Sequence, residues 1–246
     1  MHLKNKNIAV VGGGLVGSLL SIYLSQIGAK ITVYDKRSDL RKNLNSDGRS
    51  INLALSNRGI NALEQVGIAN EILDISMPMY KRIMHAKNGD LTYQPYGKKD
   101  QAIFSVSRKD LNIKLINIAE KKSVNFVFNR VCTNLNVNNN TIFFDKYDNV
   151  KSDFIFGADG AGSMVRKIMS RSFSSMNTIE KFIDFGYKEL TIPANKNGTH
   201  KLDKLALHIW PRKSYMVIAL PNLDGTFTCT LFAPLKGKNS FYQLTS

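Results

Sequence analysis

An α/β fold in two parts is predicted by three features of this 246-residue sequence. A glycine-rich turn, IAVVGGGLVGSLL, joins an apolar strand to a helical segment near the start. A second strand–glycine loop–helix unit, DFIFGADGAGSMVRKIM, follows later. The last third carries four β segments: YKELTIP, KLALHIWPR, SYMVIALPN and GTFTCTLFAP. The first two features belong to a parallel, Rossmann-like βαβ domain, the third to a mostly antiparallel sheet, so the chain reads as α/β in its first part and α+β overall.

The elements follow in order. Ile8 to Val11 is a short apolar strand, and Leu15 to Ile27 has helical periodicity up to Gly28, a suitable C′ residue. KITVYD is a second strand that ends on Asp35. Ser56 is placed to cap a helix through Arg58 to Val66, closed by Gly67. YKRIMHAKNGDLTYQPYG reads as a hairpin around an Asn88–Gly89 turn. Ser107 and Asp110 stand in capping-box spacing at the head of an amphipathic helix. VNFVFNR and NTIFFD are strands around an asparagine-rich turn, and the four late β segments have spacings that suit a meander. Domain limits of 1–75 with 98–178 for the nucleotide domain, and 76–97 with 179–246 for the β-sheet domain, are expected from this order.

Composition narrows the function. The formal net charge is +15, but like charges are scattered and no basic helix is present, which argues against nucleic acid as a partner. No window approaches the ~20 apolar residues of a membrane span, and no secretory leader is visible. Cys132 and Cys229 are expected to be reduced thiols of a cytoplasmic protein. The four histidines have no metal-ligand spacing, and His85 and His208 are expected to be structural. No paired carboxylates, Ser–His–Asp set or Cys–His pair emerges.

Gly12, Gly14 and Gly17 spell G-x-G-x-x-G between strand and helix. The first allows a tight turn, the second admits a pyrophosphate to the backbone, and the third lets helix and strand pack closely. The helix N-terminus adds free N–H groups and a positive dipole end. Asp35, at the end of the next strand, is placed to accept ribose hydroxyls and disfavours a 2′-phosphate, so FAD or NAD suits the site better than NADP. The second loop, around Asp159 and Gly160, reads equally as a tight turn or a ligand loop.

That second loop closely matches the "DG" motif of single-component FAD-dependent aromatic hydroxylases. GRSINLALSNRG, RIMHAKNG…QPYG, FSVSR, YKELTIP, LHIWPR, MVIALPN and FTCTLFAP, spread from the N-terminus to about Pro234, further resemble the kynurenine 3-monooxygenase family. The resemblance implies a para-hydroxybenzoate-hydroxylase-like fold, FAD as cofactor, NADPH and O2 as co-substrates, and 3-hydroxylation of L-kynurenine, with the chemistry carried by the flavin rather than by a catalytic side chain. It places cofactor contacts on Gly12, Gly14, Leu15, Val16, Gly17, Asp35, Arg37, Val131, Asp159 and Gly160, and a flavin-lining segment on Arg49, Asn52, Leu53 and Ala54, with Arg108 beyond. It assigns the substrate carboxylate to Arg82 and Tyr96, where a guanidinium fork and a phenol converge, and the ring pocket to Leu207, Ile218, Leu220, Thr230 and Phe232.

The sequence departs from that family by ending just after the β segments. The family continues with a GDAAH-type flavin motif and a helical region that closes the substrate site and, in some members, attaches to a membrane. A fragment or truncated product is therefore expected, with weak FAD retention and no turnover of its own. The alternatives are a related flavin hydroxylase with another aromatic substrate and a non-catalytic dinucleotide-binding module.

Overall fold

The computed structural model describes residues 3–42, 51–98 and 101–244. In chain order its elements are β1 (Asn7–Val11), α1 (Leu15–Gln26), β2 (Lys30–Tyr34), β3 (Asn52–Leu55), α2 (Asn57–Glu64), α3 (Ala69–Leu73), β4 (Met77–Met79), β5 (Lys81–His85), β6 (Leu91–Pro95) and β7 (Ile103–Ser107). They continue with α4 (Arg108–Lys121), β8 (Asn125–Val127), β9 (Cys132–Asn136), β10 (Thr141–Phe144), β11 (Tyr147–Lys151), β12 (Phe154–Gly157) and α5 (Met164–Ser172). The last strands are β13 (Phe185–Ile192), β14 (Ala206–Pro211), β15 (Met216–Pro221) and β16 (Phe227–Pro234), before a 3-10 turn at Phe241–Gln243.

These elements cluster into two compact units, 1–47 with 111–180 and 48–110 with 181–246. The first is built on a parallel sheet of order β12-β1-β2-β8. The run Ile8–Val11 is buried along its whole length, as a central parallel strand covered on both faces requires. Gly28 takes φ +84° and closes α1. A small antiparallel sheet, β11-β10-β9, lies beside it. Ala9, Val11 and Tyr34 of the large sheet, Leu135 and Ile142 of the small one, and Val165 and Ile168 of α5 form one core cluster.

The second unit holds a six-stranded sheet of order β13-β16-β15-β14-β5-β6 and a three-stranded one, β3-β7-β4. The expected hairpin is present: β5 and β6 pair antiparallel around Gly89, which takes φ +95°. The expected four-segment meander holds only for β14, β15 and β16. β13 instead adds to the far side of β16, in continuous register from Phe185↔Pro234 to Ile192↔Phe227, and β14 pairs in parallel with β5. Residues 48–75 and 98–110, which the sequence reading assigns to the nucleotide domain, cluster here. The reason is pairing: β3 and β4 both bond to β7, and the Asn52 amide donates to Asn222 Oδ1 at 2.6 Å.

Cys132 and Cys229 are buried free thiols. Among the described residues, no helix is long and apolar enough to cross a membrane, and no cluster of His, Cys, Asp or Glu is arranged to hold a metal.

The two histidines expected to be structural face each other on one side of the six-stranded sheet. His208 is 2% exposed. Its Nε2 lies 2.9 Å from the Asp203 carbonyl, which can only accept, so that nitrogen carries the proton. Nδ1 is then the acceptor for His85 Nε2–H at 2.9 Å. His85 stacks on Trp210 with ring centroids 4.2 Å apart. Burial, and for His85 also the charge of His208 and Arg212, holds both rings below the ordinary histidine range. As pH falls below about 6.5, the unfolded chain therefore binds protons before the folded one. Stability should be intact above that value and decline between it and the lowered folded-state pKa values. Thermal unfolding followed from pH 7.5 to 5.5 should show the midpoint falling. His208→Leu should flatten the profile and cost about 1–3 kcal/mol at pH 7.5 through the orphaned Asp203 carbonyl and His85 N–H. A wild-type midpoint that does not change over this range contradicts the assignment.

Candidate functional site

In the first unit the glycine loop is a point of close backbone contact. Gly12 has φ +105°, and a Cβ there would lie 2.5 Å from the Ala158 carbonyl oxygen. A Cβ on Gly17 would lie 1.9 Å from the Gly12 carbonyl oxygen. Gly14 differs: its backbone is extended and a Cβ would meet nothing within 4 Å. It is the N-cap of α1, whose first turn has neither a side-chain cap nor an acidic residue. The positive end of the helix at Gly14 and the first-turn N–H groups beside it therefore border open space, a fit for a diphosphate. Val16 is 70% exposed at this rim.

Asp35 stands at the end of β2 and is almost fully buried. Its Oδ2 accepts from Gly13 N–H at 2.7 Å and from Arg37 Nη2 at 2.8 Å. Its Oδ1 accepts from Arg37 N–H at 2.8 Å and from Arg37 Nε at 3.0 Å. Burial pushes this carboxyl's pKa up, but the donors from Arg37 and Gly13 outweigh it and hold the group below the usual carboxylate range. Val131 adjoins Asp35 through its neighbour, since Arg130 N–H donates to the Asp35 carbonyl at 2.9 Å. Sequence reasoning missed Asn112, a buried amide on α4. It donates to the Gly13 carbonyl at 3.1 Å, and the available signal was an amide on the helix's apolar face.

The GADG loop abuts the first at Gly12. Gly160 takes φ +82°. The Asp159 carboxylate accepts from Ser163 Oγ at 2.5 Å, Met164 N–H at 2.6 Å and Val165 N–H at 3.2 Å. It caps the start of α5, which favours the tight-turn reading for that side chain.

The remaining described residues assigned to the cofactor lie in the second unit. Arg49 is outside the described residues. Asn52, Leu53 and Ala54 run along β3, opposite Ser107, Val106 and Ser105 of β7. Arg108 opens α4 with an exposed side chain, and its N–H donates to the Ile51 carbonyl at 3.1 Å.

The residues assigned to the substrate share one face of the six-stranded sheet. Arg82 is level with Leu207, Ile218 with Thr230, and Met216 with Phe232. Leu207 and Leu220 form an apolar cluster with Met79, against which Tyr96, Ile103 and Ile218 pack. Phe232 lies farther along and meets Tyr187, with ring centroids 6.4 Å apart. The Arg82 guanidinium sits 5.1 Å from the Tyr96 ring centroid. Its Nε is buried and has no hydrogen-bond partner among the described residues. Burial pushes the Tyr96 phenol up to about 12, despite the opposing pull of Arg82. Tyr96 and Ile103 also line a pocket of about 370 Å³ edged by Ser56, Asn57, Arg58 and Gln101.

The glycine geometry separates binding from folding. Gly14→Val should leave the melting temperature within a few degrees of wild type, because a Cβ there meets nothing within 4 Å, yet abolish dinucleotide binding by filling the space beside the helix N-terminus. Gly17→Val should lower stability by more than the 1–3 kcal/mol of ordinary overpacking, because it collides with backbone. Circular dichroism melts and dinucleotide titration of both variants measure the contrast.

Several known proteins resemble this chain. The kynurenine 3-monooxygenase of Flavobacterium johnsoniae is 49% identical over 243 residues, 97% of this chain and 54% of that protein. The kynurenine 3-monooxygenase of Christiangramia forsetii is 48% identical over 246 residues, 98% of this chain and 55% of that protein. The chain thus spans about half the length of the curated relatives it matches. Among solved structures, a variant of 2-methyl-3-hydroxypyridine-5-carboxylic acid oxygenase aligns with TM-score 0.77 and 21% identity, covering 94% of this chain and 60% of that one. A variant of Klebsiella pneumoniae HpxO complexed with FAD aligns with TM-score 0.77 and 15% identity, over 95% and 58%. At such identities the likeness is one of fold, and it agrees with the expected α/β architecture. A family model described as "FAD binding domain" matches residues 5–236, and on that match the chain belongs to the FAD binding domain family.

Proposed function

We propose that this chain is the cofactor- and substrate-binding portion of an enzyme that hydroxylates L-kynurenine at position 3, consuming NADPH and O2. The observation that carries the substrate side is the buried Nε of Arg82, which has no hydrogen-bond partner among the described residues. An N–H of a permanently charged guanidinium on an apolar face is costly without an acceptor, and a carboxylate can take Nε–H and an Nη–H together. Tyr96, with its pKa near 12, keeps its proton at neutral pH and has a third hydrogen bond to give. Kynurenine has the matching parts: an α-carboxylate for the clamp and an aromatic ring for the apolar face of Leu207, Ile218 and Leu220.

The first unit fits FAD. The open position at Gly14 and the uncapped start of α1 suit its pyrophosphate, and Asp35 is the acid available to its adenosine ribose. Bound there, FAD would supply the redox and oxygen-transfer chemistry of the hydroxylation, with NADPH as reductant and O2 as oxidant. The chain's own residues bind and orient: Arg82 and Tyr96 fix the amino-acid end, and the apolar sheet face positions the ring and keeps water from it. The two free thiols agree with a reducing, cytoplasmic setting.

The test joins this chain to the remaining C-terminal half of the Flavobacterium johnsoniae relative. With NADPH, FAD and kynurenine, mass spectrometry should detect 3-hydroxykynurenine. Arg82→Ala should weaken kynurenine binding by on the order of 2–5 kcal/mol, read as a raised KM with unchanged flavin content. Arg82→Lys should fall between, keeping the charge and losing the fork. An unchanged KM in the alanine variant removes Arg82 from the substrate site.

A further inference from the structure

We propose that Asn222 is a positioning residue for the hydroxylation. Its side chain ties β3, the strand assigned to line the flavin, to the β15–β16 ladder that carries the ring pocket. No contact with cofactor or substrate is assigned to Asn222 itself. The inference rests on the reading of this chain as part of a kynurenine hydroxylase.

Asn222 follows β15 directly and opens the turn into β16. Its N–H donates to the Thr226 carbonyl at 2.9 Å, and its carbonyl accepts from His200 Nε2 at 2.7 Å, so the backbone is held on both sides. The side-chain amide is engaged at both ends. Nδ2 donates to Thr226 Oγ1 at 2.8 Å and to Thr228 Oγ1 at 3.0 Å. The Thr226 hydroxyl gives its own proton to Asp224 Oδ1 at 2.6 Å, so toward Asn222 it can only accept. That decides which way the amide points: nitrogen toward the threonines, oxygen toward β3.

On β3, Asn52 meets that oxygen. Its Nδ2 carries two N–H donors. One goes to Asn222 Oδ1 at 2.6 Å and the other to Ser105 Oγ at 2.9 Å, with the Pro221 carbonyl farther off at 3.4 Å. Ser105 is buried on β7, opposite Ala54. The Asn52 amide is thus turned to the protein, and the backbone of β3 is left to line a flavin. Both N–H groups of each amide have acceptors, so the link is directional and its bonds support one another.

The other end of the link lies among the ring-pocket residues. Thr228 stands opposite Leu220, and Thr230, next on the same face, stands opposite Ile218. Apolar contacts also join the two sheets: Met79 of β4 clusters with Leu207 and Leu220, and Ile103 of β7 packs against them. Apolar burial is non-directional and does not by itself fix a register. A hydrogen-bonded amide does. A shift of about 1 Å between reacting groups can cost on the order of 10²-fold in rate. Arg82 and Tyr96 hold the amino-acid end of the substrate, and the Asn222–Asn52 bond holds β3 in place relative to its ring.

The chain joined to the C-terminal half of the Flavobacterium johnsoniae relative tests this. NADPH, a proton and O2 give NADP+ with either 3-hydroxykynurenine and water or, when the ring is out of place, hydrogen peroxide alone. Asn222→Ala should leave flavin content unchanged and the kynurenine KM within about twofold of wild type, because Arg82 and Tyr96 are intact. Its kcat for 3-hydroxykynurenine should fall about tenfold or more, with the NADPH consumed diverted to hydrogen peroxide. Asn222→Asp keeps an acceptor for Asn52 and should recover most of the kcat. Asn52→Ala cuts the same bond from β3 and should show the same split between KM and kcat, so it stands in should Asn222→Ala not fold. The double variant should be no worse than either single one. Amide hydrogen exchange in the 246-residue chain reads the link without turnover. Asn222→Ala should speed exchange across residues 51–55 about three- to tenfold, and Asn222→Asp should not. Unchanged kcat and peroxide yield in folded Asn222→Ala, or a raised KM with product formation still coupled to NADPH, overturns the positioning role and leaves the functional reading standing. A joined wild-type protein that forms no 3-hydroxykynurenine overturns that reading, and the inference with it.

Discussion

The approach of three backbone segments at Gly12 is the constraint on which the first unit depends. Strand β1 ends there, α1 passes so close that Gly17 has no room for a Cβ, and the loop after β12 lies against the same point through Ala158. A side chain at either glycine would force apart a strand, a helix and a loop. The parallel sheet brings these segments together, because β12 and β2 flank β1. The same packing leaves Gly14 facing outward at the start of α1, where the uncapped helix end is available to a phosphate.

Polar groups secure this arrangement from two sides. Asp35 grips Gly13 N–H, and Asn112 grips the Gly13 carbonyl. The loop is therefore fixed at both its donor and its acceptor, with a buried carboxylate and a buried amide each satisfied. Asp159 does similar work for the second loop by capping α5. Two acids that look in the sequence like ligand contacts are thus first of all parts of the scaffold. In each case the partner is local, within six residues of Asp159 and two of Asp35 apart from the link to Gly13, which explains why motif spacing alone cannot distinguish the roles.

The second unit balances its polar groups differently. Its six-stranded sheet has one face organised by His85, His208, Phe227 and Trp210, where the rings stack and hydrogen bonds satisfy both nitrogens of the buried His208. The opposite face carries Arg82 above an aliphatic surface, its Nε without a hydrogen-bond partner among the described residues. A sheet can hold a fixed cation in such a place because neighbouring strands pin the backbone on both sides: Arg82 lies between Gln94 of β6 and Leu207 of β14.

Local chemistry alone determined much of this protein. The Gly-rich turn, the Asn88–Gly89 hairpin, Ser107 at the head of α4, whose Oγ accepts from Asp110 N–H at 3.2 Å, and the glycine stops of the helices are all legible, because each depends on residues a few positions apart. The single face shared by Arg82, Leu207, Ile218 and Thr230 was also recoverable, by resemblance, from the motif strands. What the tertiary structure decided are the long-range pairings. β13 joins β16 rather than β14, β14 runs parallel to β5 across more than a hundred residues, and β3 and β7 leave the nucleotide unit for the other. Strand alternation specifies a buried face but not a partner, so sheet order follows from which edges meet in three dimensions. The occupation of Asp35 by Arg37 belongs to the same class. The sequence supplies an acid and a nearby arginine, and only the β2 terminus, held against the glycine loop, turns them into a closed fork on a buried carboxylate.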